Sequence, residues 1–463
     1  MPRTRFNPGH SRLLYYLNRY VSGLSFKINT RFTMAGKFTV VVMVFTGLLG
    51  MDVRHTVTYE IFTLLFVMIV FSMLYATRFS LTARVTRTLP PHVSTNAEFS
   101  YKLQIELAPS HKKKKLQRGL EVIDLLEDPR PTLREFLDYD GDKKRSPWRD
   151  LLDRVAAVTV TRPVVIPDIY TGSSSEVSLN LTPRRRGKIV FKSVLIVRTD
   201  PLGLFRAAIK IPLEQAIIVL PPRYAMPDIY LEGGRMHNQG GVTMAMSVGE
   251  SGEFYALRDY LPGDPIRIID WKSWAKTNKP VVRKYQEEFF SRHALVMDTF
   301  ALKGQMLEDV FETCVSIAAS LIISINDQDS LLDLIFVEND VYCFTTGRGL
   351  AQRVDALELL AGVRLTTDKG FDVLANSVKK RLAITSSLIC VFIRYDSARK
   401  QLLDYILASG LPVRVIMLQQ KNKPNDTDNA IEELMRPPYS SVVTIIETHD
   451  VQDGLRRLTG VRT

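Results

Sequence analysis

The chain has 463 residues, of which 46% are hydrophobic and 24% charged, with three cysteines and a net charge of +12. That length exceeds one ordinary domain and accommodates two soluble cores plus an anchor, while the composition excludes a disordered or disulfide-stapled protein. Cys314, Cys343 and Cys390 lie far apart in apolar stretches and read as reduced core residues, so neither a zinc site nor any other cofactor is expected.

Residues 1–33 form a basic N-terminal segment. Arg3, Arg5, Arg12, Arg19, Lys27 and Arg31 all precede the first acidic residue, Asp52. Within this segment Leu13, Leu14, Leu17, Val21 and Leu24 recur at helical spacing with Arg12 and Arg19 on the other side. Such a helix suits a membrane interface, where basic residues meet anionic headgroups; a solvated N-terminal helix is the alternative.

Residues 34–79 read as a transmembrane helical hairpin. TVVVMVFTGLLGM (39–51) and IFTLLFVMIVFSMLY (61–75) carry no charge, and with their neighbours each approaches the roughly 20 residues that a bilayer requires. Basic residues flank both runs, with Arg78, Arg84 and Arg87 following the second, whereas the turn between them is nearly balanced in charge. The asymmetry of lysine and arginine predicts a multi-pass protein of the cell inner (plasma) membrane with both flanks cytoplasmic. Placed this way, the net charge points to the lipid bilayer as a partner and not to nucleic acid.

Between residues 80 and 224 the hydrophobic period shortens to two. SLTARVTRTL, FSYKLQIEL, AAVTVTRPVVI, EVSLNLTP, KIVFKSVLIV and AAIKIPLEQAIIVLP predict an all-β, sandwich-like domain. The stretch 111–153, with its lysine run, prolines and helical patterns, reads as an excursion inserted between strands.

Residues 225–291 begin as a linker rich in glycine and methionine, and from 292 to 463 strand and helix patterns alternate. ALVMD, LLDLIFV, SSLICVFI, VRVIML and VVTIIE are strands, separated by helical patterns that include Leu307 to Ser324 and Leu350 to Gly362. The alternation predicts a C-terminal α/β doubly wound domain. The chain is thus expected to be a membrane-anchored multidomain protein.

Three blocks resemble the bacterial and archaeal family called domain of unknown function 58. TPRRRGKIVFKSVLIVRTDPLGLFR (182–206) is similar to the family's Arg-Arg-Gly strand and Asp-Pro-Leu-Gly-Leu-Phe turn. GEFYALRDYLPGDPIRIIDWKSWAKTNKPVVRKYQEE (252–288) is similar to its signature, in which Arg258, Tyr260, Gly263, Asp264, Arg267, Asp270 and Trp271 match, and Lys276 stands where the family has arginine. ALVMD resembles the opening of a von Willebrand factor A-like domain. The resemblance implies that fold for residues 292–463. It also implies, as partners, a MoxR-type AAA+ ATPase and other membrane or von Willebrand A proteins.

In the signature block Pro262, Gly263 and Asp264 suit a tight turn. Arg258, Asp264, Arg267 and Asp270 are expected to form one mutually paired cluster, an internal latch at a domain boundary. The alternative is a partner-docking surface anchored by Trp271 and Trp274. A von Willebrand A domain would bind Mg²⁺ through Asp-x-Ser-x-Ser, but here the window reads Asp298, Thr299, Phe300, Ala301, Leu302. Asp298 and Asp396 therefore make a degenerate metal site at most, and helix-capping or loop roles suit them better.

No nucleophile elbow, P-loop or metal-ligand pair occurs at the required spacing, and Gly347, Arg348 and Gly349 suit an ordinary β-to-α turn. The expected function is a non-enzymatic, chaperone-like scaffold or adaptor acting with the ATPase in assembly or maturation of protein complexes. The alternative is an enzyme or ligand-binding protein using the carboxylates of block 258–288, which would require an unpaired Asp264 or Asp270 in a concave site.

Overall fold

The computed structural model describes residues 8–49, 56–109, 115–128, 130–137, 148, 163–226, 236–238, 254–285, 289–301, 307–325, 330–347, 350–367, 369–419 and 432–457. They divide into two compact units, Met1–Pro222 and Arg223–Thr463.

The first unit opens with three helices: α1 (Pro8–Arg31), α2 (Met34–Leu49) and α3 (Thr56–Thr77). Among the described residues one helix, Val57–Thr77, is long and apolar enough to cross a membrane, and α2 is a shorter apolar helix. The two pack together with Gly47 against the ring of Phe62. The leucines read as one face of α1 stay uncovered: Leu13 is 66% exposed and Leu17 56%. Among the described residues α1 buries Tyr15, enclosed by Phe136 of the short helix α4 (Leu133–Leu137) and by Trp148.

Next come β1 (Ala83–Thr88), β2 (His92–Ser94), β3 (Phe99–Leu107), β4 (Leu116–Gln117), β5 (Leu120–Leu126), β6 (Val164–Val165), β7 (Ile169–Tyr170), β8 (Ser174–Leu181), β9 (Gly187–Thr199) and β10 (Arg206–Leu220). They build a three-stranded sheet, β1-β3-β8, and a five-stranded one, β2-β10-β9-β5-β6, with a small β4-β7 pair beside them. In β3 every second residue, Tyr101, Leu103, Ile105 and Leu107, is buried. These join Val122, Phe191, Ile196 and Val219 of the larger sheet in one core. Each such side chain contributes roughly 1.5–3 kcal/mol of burial.

The region expected as an insertion, 111–153, instead supplies β5 to the larger sheet, between β9 and β6. Its core-facing register includes Asp124, which broke the apolar alternation. Burial of that carboxylate is compensated by two hydrogen bonds from Arg87, at 2.8 and 2.6 Å, and by the Tyr101 hydroxyl at 3.0 Å.

In the second unit β11 (Met236–Asn238) pairs with β14 (Phe289–Met297), and β12 (Phe254–Asp259) pairs with β13 (Val281–Tyr285) around α5 (Trp271–Thr277). A larger sheet follows, with β15 (Ser330–Val337), β16 (Val341–Thr346), β17 (Ser387–Phe392), β18 (Val413–Gln419) and β19 (Val443–Glu447) in the order β16-β15-β14-β17-β18-β19. All of these neighbours run parallel except the β15-β16 hairpin.

The helices are α6 (Glu308–Ser324), α7 (Leu350–Gly362), α8 (Asp372–Arg381), α9 (Ser397–Ala408) and α10 (Val451–Arg456). From α8 and α9, Leu374, Val378, Leu402 and Ile406 pack with Val296, Ile335, Cys390 and Val415 of the sheet. Helix α6 lies against β14, β17 and β18 outside that cluster. Strand order reverses between β14 and β17, which is where sheets of this kind open a ligand-binding crevice.

Candidate functional site

Asp298 follows β14 and Asp396 follows β17, so the sheet itself carries both carboxylates to the carboxyl ends of the two strands that flank the reversal. The crevice there is filled from inside the chain. Arg399, in the first turn of α9, is wholly buried and grips Asp298 with two hydrogen bonds, Nε to one oxygen at 2.7 Å and Nη2 to the other at 2.8 Å. Its Nη1 reaches Asp396 at 2.6 Å, and its guanidinium lies over the Phe371 ring at 4.4 Å.

The remaining lone pairs of Asp298 accept from the backbone N–H groups of Phe300 (3.0 Å) and Ile393 (3.3 Å). Asp396 caps α9, as expected, by accepting from the Arg399 backbone N–H at 3.0 Å. Asp298 is no cap: it is one half of a fully buried ion pair. A guanidinium thus takes the place that a divalent ion would need, and no group of three or more potential metal ligands occurs among the described residues. Thr299, the next residue of the window, donates its hydroxyl to the Val337 carbonyl.

Within residues 254–285 the signature block is built largely of regular elements. The chain runs from β12 through the Pro262–Gly263 turn, a single 3₁₀ turn (Ile266–Ile268) and α5 to β13. Gly263 takes φ +109°, a conformation that disfavours any side chain, and the Asp264 N–H closes the turn on the Leu261 carbonyl at 3.0 Å. Arg258 forks onto Asp264 at 2.6 and 2.7 Å, and Asp264 also accepts from the Leu261 N–H at 2.9 Å. The bonds from Arg258, then that from Leu261, pull the Asp264 carboxyl from its ordinary 3.8 down to about 2 against the opposing effect of burial.

Asp270 belongs to a second pair. It caps α5, accepting from the Lys272 N–H at 3.3 Å and the Ser273 hydroxyl at 3.2 Å, and it receives Arg283 of β13 at 3.3 Å. Burial acts to raise its pKa, but Arg283, Ser273 and Lys272 together hold it below the ordinary carboxylate range. Of the charges expected in one cluster, Arg258 pairs with Asp264 and Asp270 with Arg283, two braces within the second unit. Arg267 lies in the 3₁₀ turn and Lys276 on an exposed face of α5. The backbone of Tyr260 is tied to the Pro280 carbonyl at 2.9 Å.

Several large apolar side chains of this block are exposed. Leu261 is 61% exposed, Ile266 68% and Trp271 60%, with Leu257 at 41%. Trp271 stacks on Trp274 at a centroid distance of 5.2 Å. Sequence reading singled out the tryptophans but passed over Leu257 on β12, Leu261 at the turn and Ile266 in the 3₁₀ turn.

Asp200, of the Asp-Pro-Leu-Gly-Leu-Phe turn, carries a role that sequence reading left unassigned. Its carboxylate accepts from the N–H groups of Leu202, Leu204 and Phe205 and from the buried hydroxyl of Ser72 on α3 at 2.8 Å. Thr33 donates to the Gly203 carbonyl, and an added Cβ on Gly36 would land on the Leu204 carbonyl oxygen. The turn is thus clamped between the start of α2 and the last turns of α3.

The backbone donor of Gly347 is taken by the Gln352 side chain at 2.7 Å. Arg348 and Gly349, the lysine run at 112–114, and Glu287 and Glu288 lie outside the described residues.

Residues 256–374 match the family described as "Protein of unknown function DUF58". The chain is also similar to the uncharacterized protein YeaD of Bacillus subtilis (strain 168), 27% identical over 154 residues, which is 33% of this chain. The match spans 36% of that relative's length. Together they support the resemblance to domain of unknown function 58, and the family match takes in most of the signature block and the first part of the α/β sheet, including Asp298.

Proposed function

We propose that this protein is a membrane-anchored, non-enzymatic scaffold or adaptor whose signature block is a docking surface for another protein. The observation that carries the reading is the exposed apolar surface of Leu261, Ile266 and Trp271, mounted on a hairpin that two ion pairs brace. Aromatic and aliphatic anchors on a rigid support are what protein interfaces use, since little conformational entropy is lost on binding. An enzyme built on the same block would need an unpaired carboxyl raised toward neutrality, whereas Asp264 and Asp270 are both paired and both shifted downward.

The partner implied by the resemblance is a MoxR-type AAA+ ATPase, with a chaperone-like part in assembly or maturation of protein complexes. In this reading the second unit is a von Willebrand A-like domain, consistent with its strand order and antiparallel edge strand β16. Its usual metal position is closed by Arg399. The helices α2 and α3 form the hairpin anchor in the inner membrane, with both soluble flanks cytoplasmic. Affinity purification from native membranes tests the docking claim: the parent should retain an ATPase, and Trp271→Ala with Leu261→Ser should lose it while keeping the parent's melting temperature. Retention of the same partners by that variant would end the docking reading.

A further inference from the structure

A groove of about 630 Å³ opens beside the last turns of α3, lined by Arg31, Val70, Met73, Leu74, Phe79 and Phe205 among others. Its wall is apolar apart from Arg31, the final residue of α1, and Thr77. Met73 is 44% exposed and Leu74 61%, so the apolar side of the groove is left open by the protein. Arg31 makes no ion pair among the described residues, and no carboxylate lines the groove.

If α3 crosses a bilayer, as read above, its C-terminal end Thr77 lies at the headgroup boundary, and Val70 lies about 10 Å deeper at 1.5 Å per residue. Arg31 immediately precedes Phe32, which bridges to Phe205, and so stands at the same end of α3 as Thr77. The groove therefore has its cation at headgroup level and its apolar wall at the depth of the first acyl carbons. A water-soluble anion would meet Arg31 but leave the apolar wall unfilled.

We propose that this groove holds one anionic phospholipid, its phosphate on the Arg31 guanidinium and the upper part of one acyl chain along Val70, Met73 and Leu74. Guanidinium and phosphate form charge-assisted hydrogen bonds, and the wall beneath supplies apolar contact to a chain already in the membrane. The lipid would cement α3 to the segment that carries Phe205, just ahead of β10 and beside the Asp200 clamp.

Native mass spectrometry of the full chain, purified in detergent and titrated with phosphatidylglycerol, phosphatidylcholine or glycerol phosphate, tests this. Retention of one phosphatidylglycerol is expected, with weaker retention of phosphatidylcholine and none of glycerol phosphate. Arg31→Gln should weaken phosphatidylglycerol retention about tenfold or more, and Met73→Trp, which fills the groove, should also reduce it. Equal retention by the parent and both variants would overturn the proposal, as would equal retention of glycerol phosphate. Alkaline carbonate extraction keeps the two readings apart: release of the chain from membranes defeats the anchor itself, whereas a chain that stays membrane-bound with unaltered lipid retention in both variants defeats the groove alone.

Discussion

Arg399 and Asp298 lie 101 positions apart in the chain and meet in a fully buried, two-bonded ion pair at the point where the strand order of the sheet reverses. The pair converts a crevice that could serve as a ligand site into part of the protein's own structure. Because Asp298 also accepts two backbone N–H bonds and Arg399 also reaches Asp396 and Phe300, few of the polar atoms of the pair remain for a ligand.

Removing one member strands the other's charge in the interior. Arg399→Ala is expected to destabilise the second unit by about 3–5 kcal/mol. Denaturant unfolding of the parent and variant measures it, and a loss under about 1 kcal/mol would mean that water or another group replaces the guanidinium.

With that position occupied, Mg²⁺ or Mn²⁺ should leave the melting temperature of the parent unchanged, because a specific ligand of the folded state would raise it. A saturable rise with either ion, not reproduced by a monovalent salt of equal ionic strength, would show that a cation site remains.

The Arg258–Asp264 brace makes a prediction in pH. Its carboxyl titrates lower in the folded hairpin than its ordinary 3.8, at about 2. The unfolded chain then takes up the proton first as pH falls. The brace's contribution is full above the unfolded value and is lost as pH drops through the window between the two. An NMR titration of Asp264 should show a midpoint near 2 that returns toward 3.8 in Arg258→Ala. A parent midpoint at the ordinary value would contradict the paired geometry.

Gly36 admits no side chain where the Leu204 carbonyl meets α2. Gly36→Ala should therefore force the Asp200 turn away from the helices and lower the melting temperature in detergent, by a destabilisation of about 1–3 kcal/mol. Gly47→Ala, which would meet only the ring of Phe62, should cost less. The reverse order of the two effects would place the clamp elsewhere.

Orientation in the membrane is open to cysteine labelling. A cysteine placed near Thr56 should react with an impermeant reagent in intact cells, and one near Ser110 only after the cells are broken open. The opposite pattern would invert the topology, and labelling of both from outside would exclude the cytoplasmic flanks.

How much of this was legible in the residues depended on how far apart the cooperating groups lie. Strand β3 could be read directly because Tyr101, Leu103, Ile105 and Leu107 alternate without interruption. Strand β5 could not, since Asp124 occupies a core position that only Arg87 and Tyr101, distant in sequence, make tolerable. Strand β16 and helix α8 were also passed over: the edge strand buries only Thr346, and the helix buries only Leu374, Ala375 and Val378. Asp298 and Asp396 were noticed for their places at strand ends. Arg399 was passed over, because the carboxylate that fixes it lies 101 positions away, at the end of β14. In the signature block the turn and its charges were visible, but which arginine takes which carboxylate was not, since the bridge of Ile269 to Val282 and the Asp270 N–H bond to the Val281 carbonyl bring Asp270 to β13 beside Arg283.

The central claim is that the exposed apolar face of the signature block docks a protein partner, and photo-crosslinking addresses it most directly. With a photoreactive residue at Trp271 in the full chain, irradiated in native membranes, the account predicts one dominant adduct containing a AAA+ ATPase, absent when the residue is placed at exposed Lys102 on β3. No adduct at Trp271, or the same adducts from both positions, would contradict it.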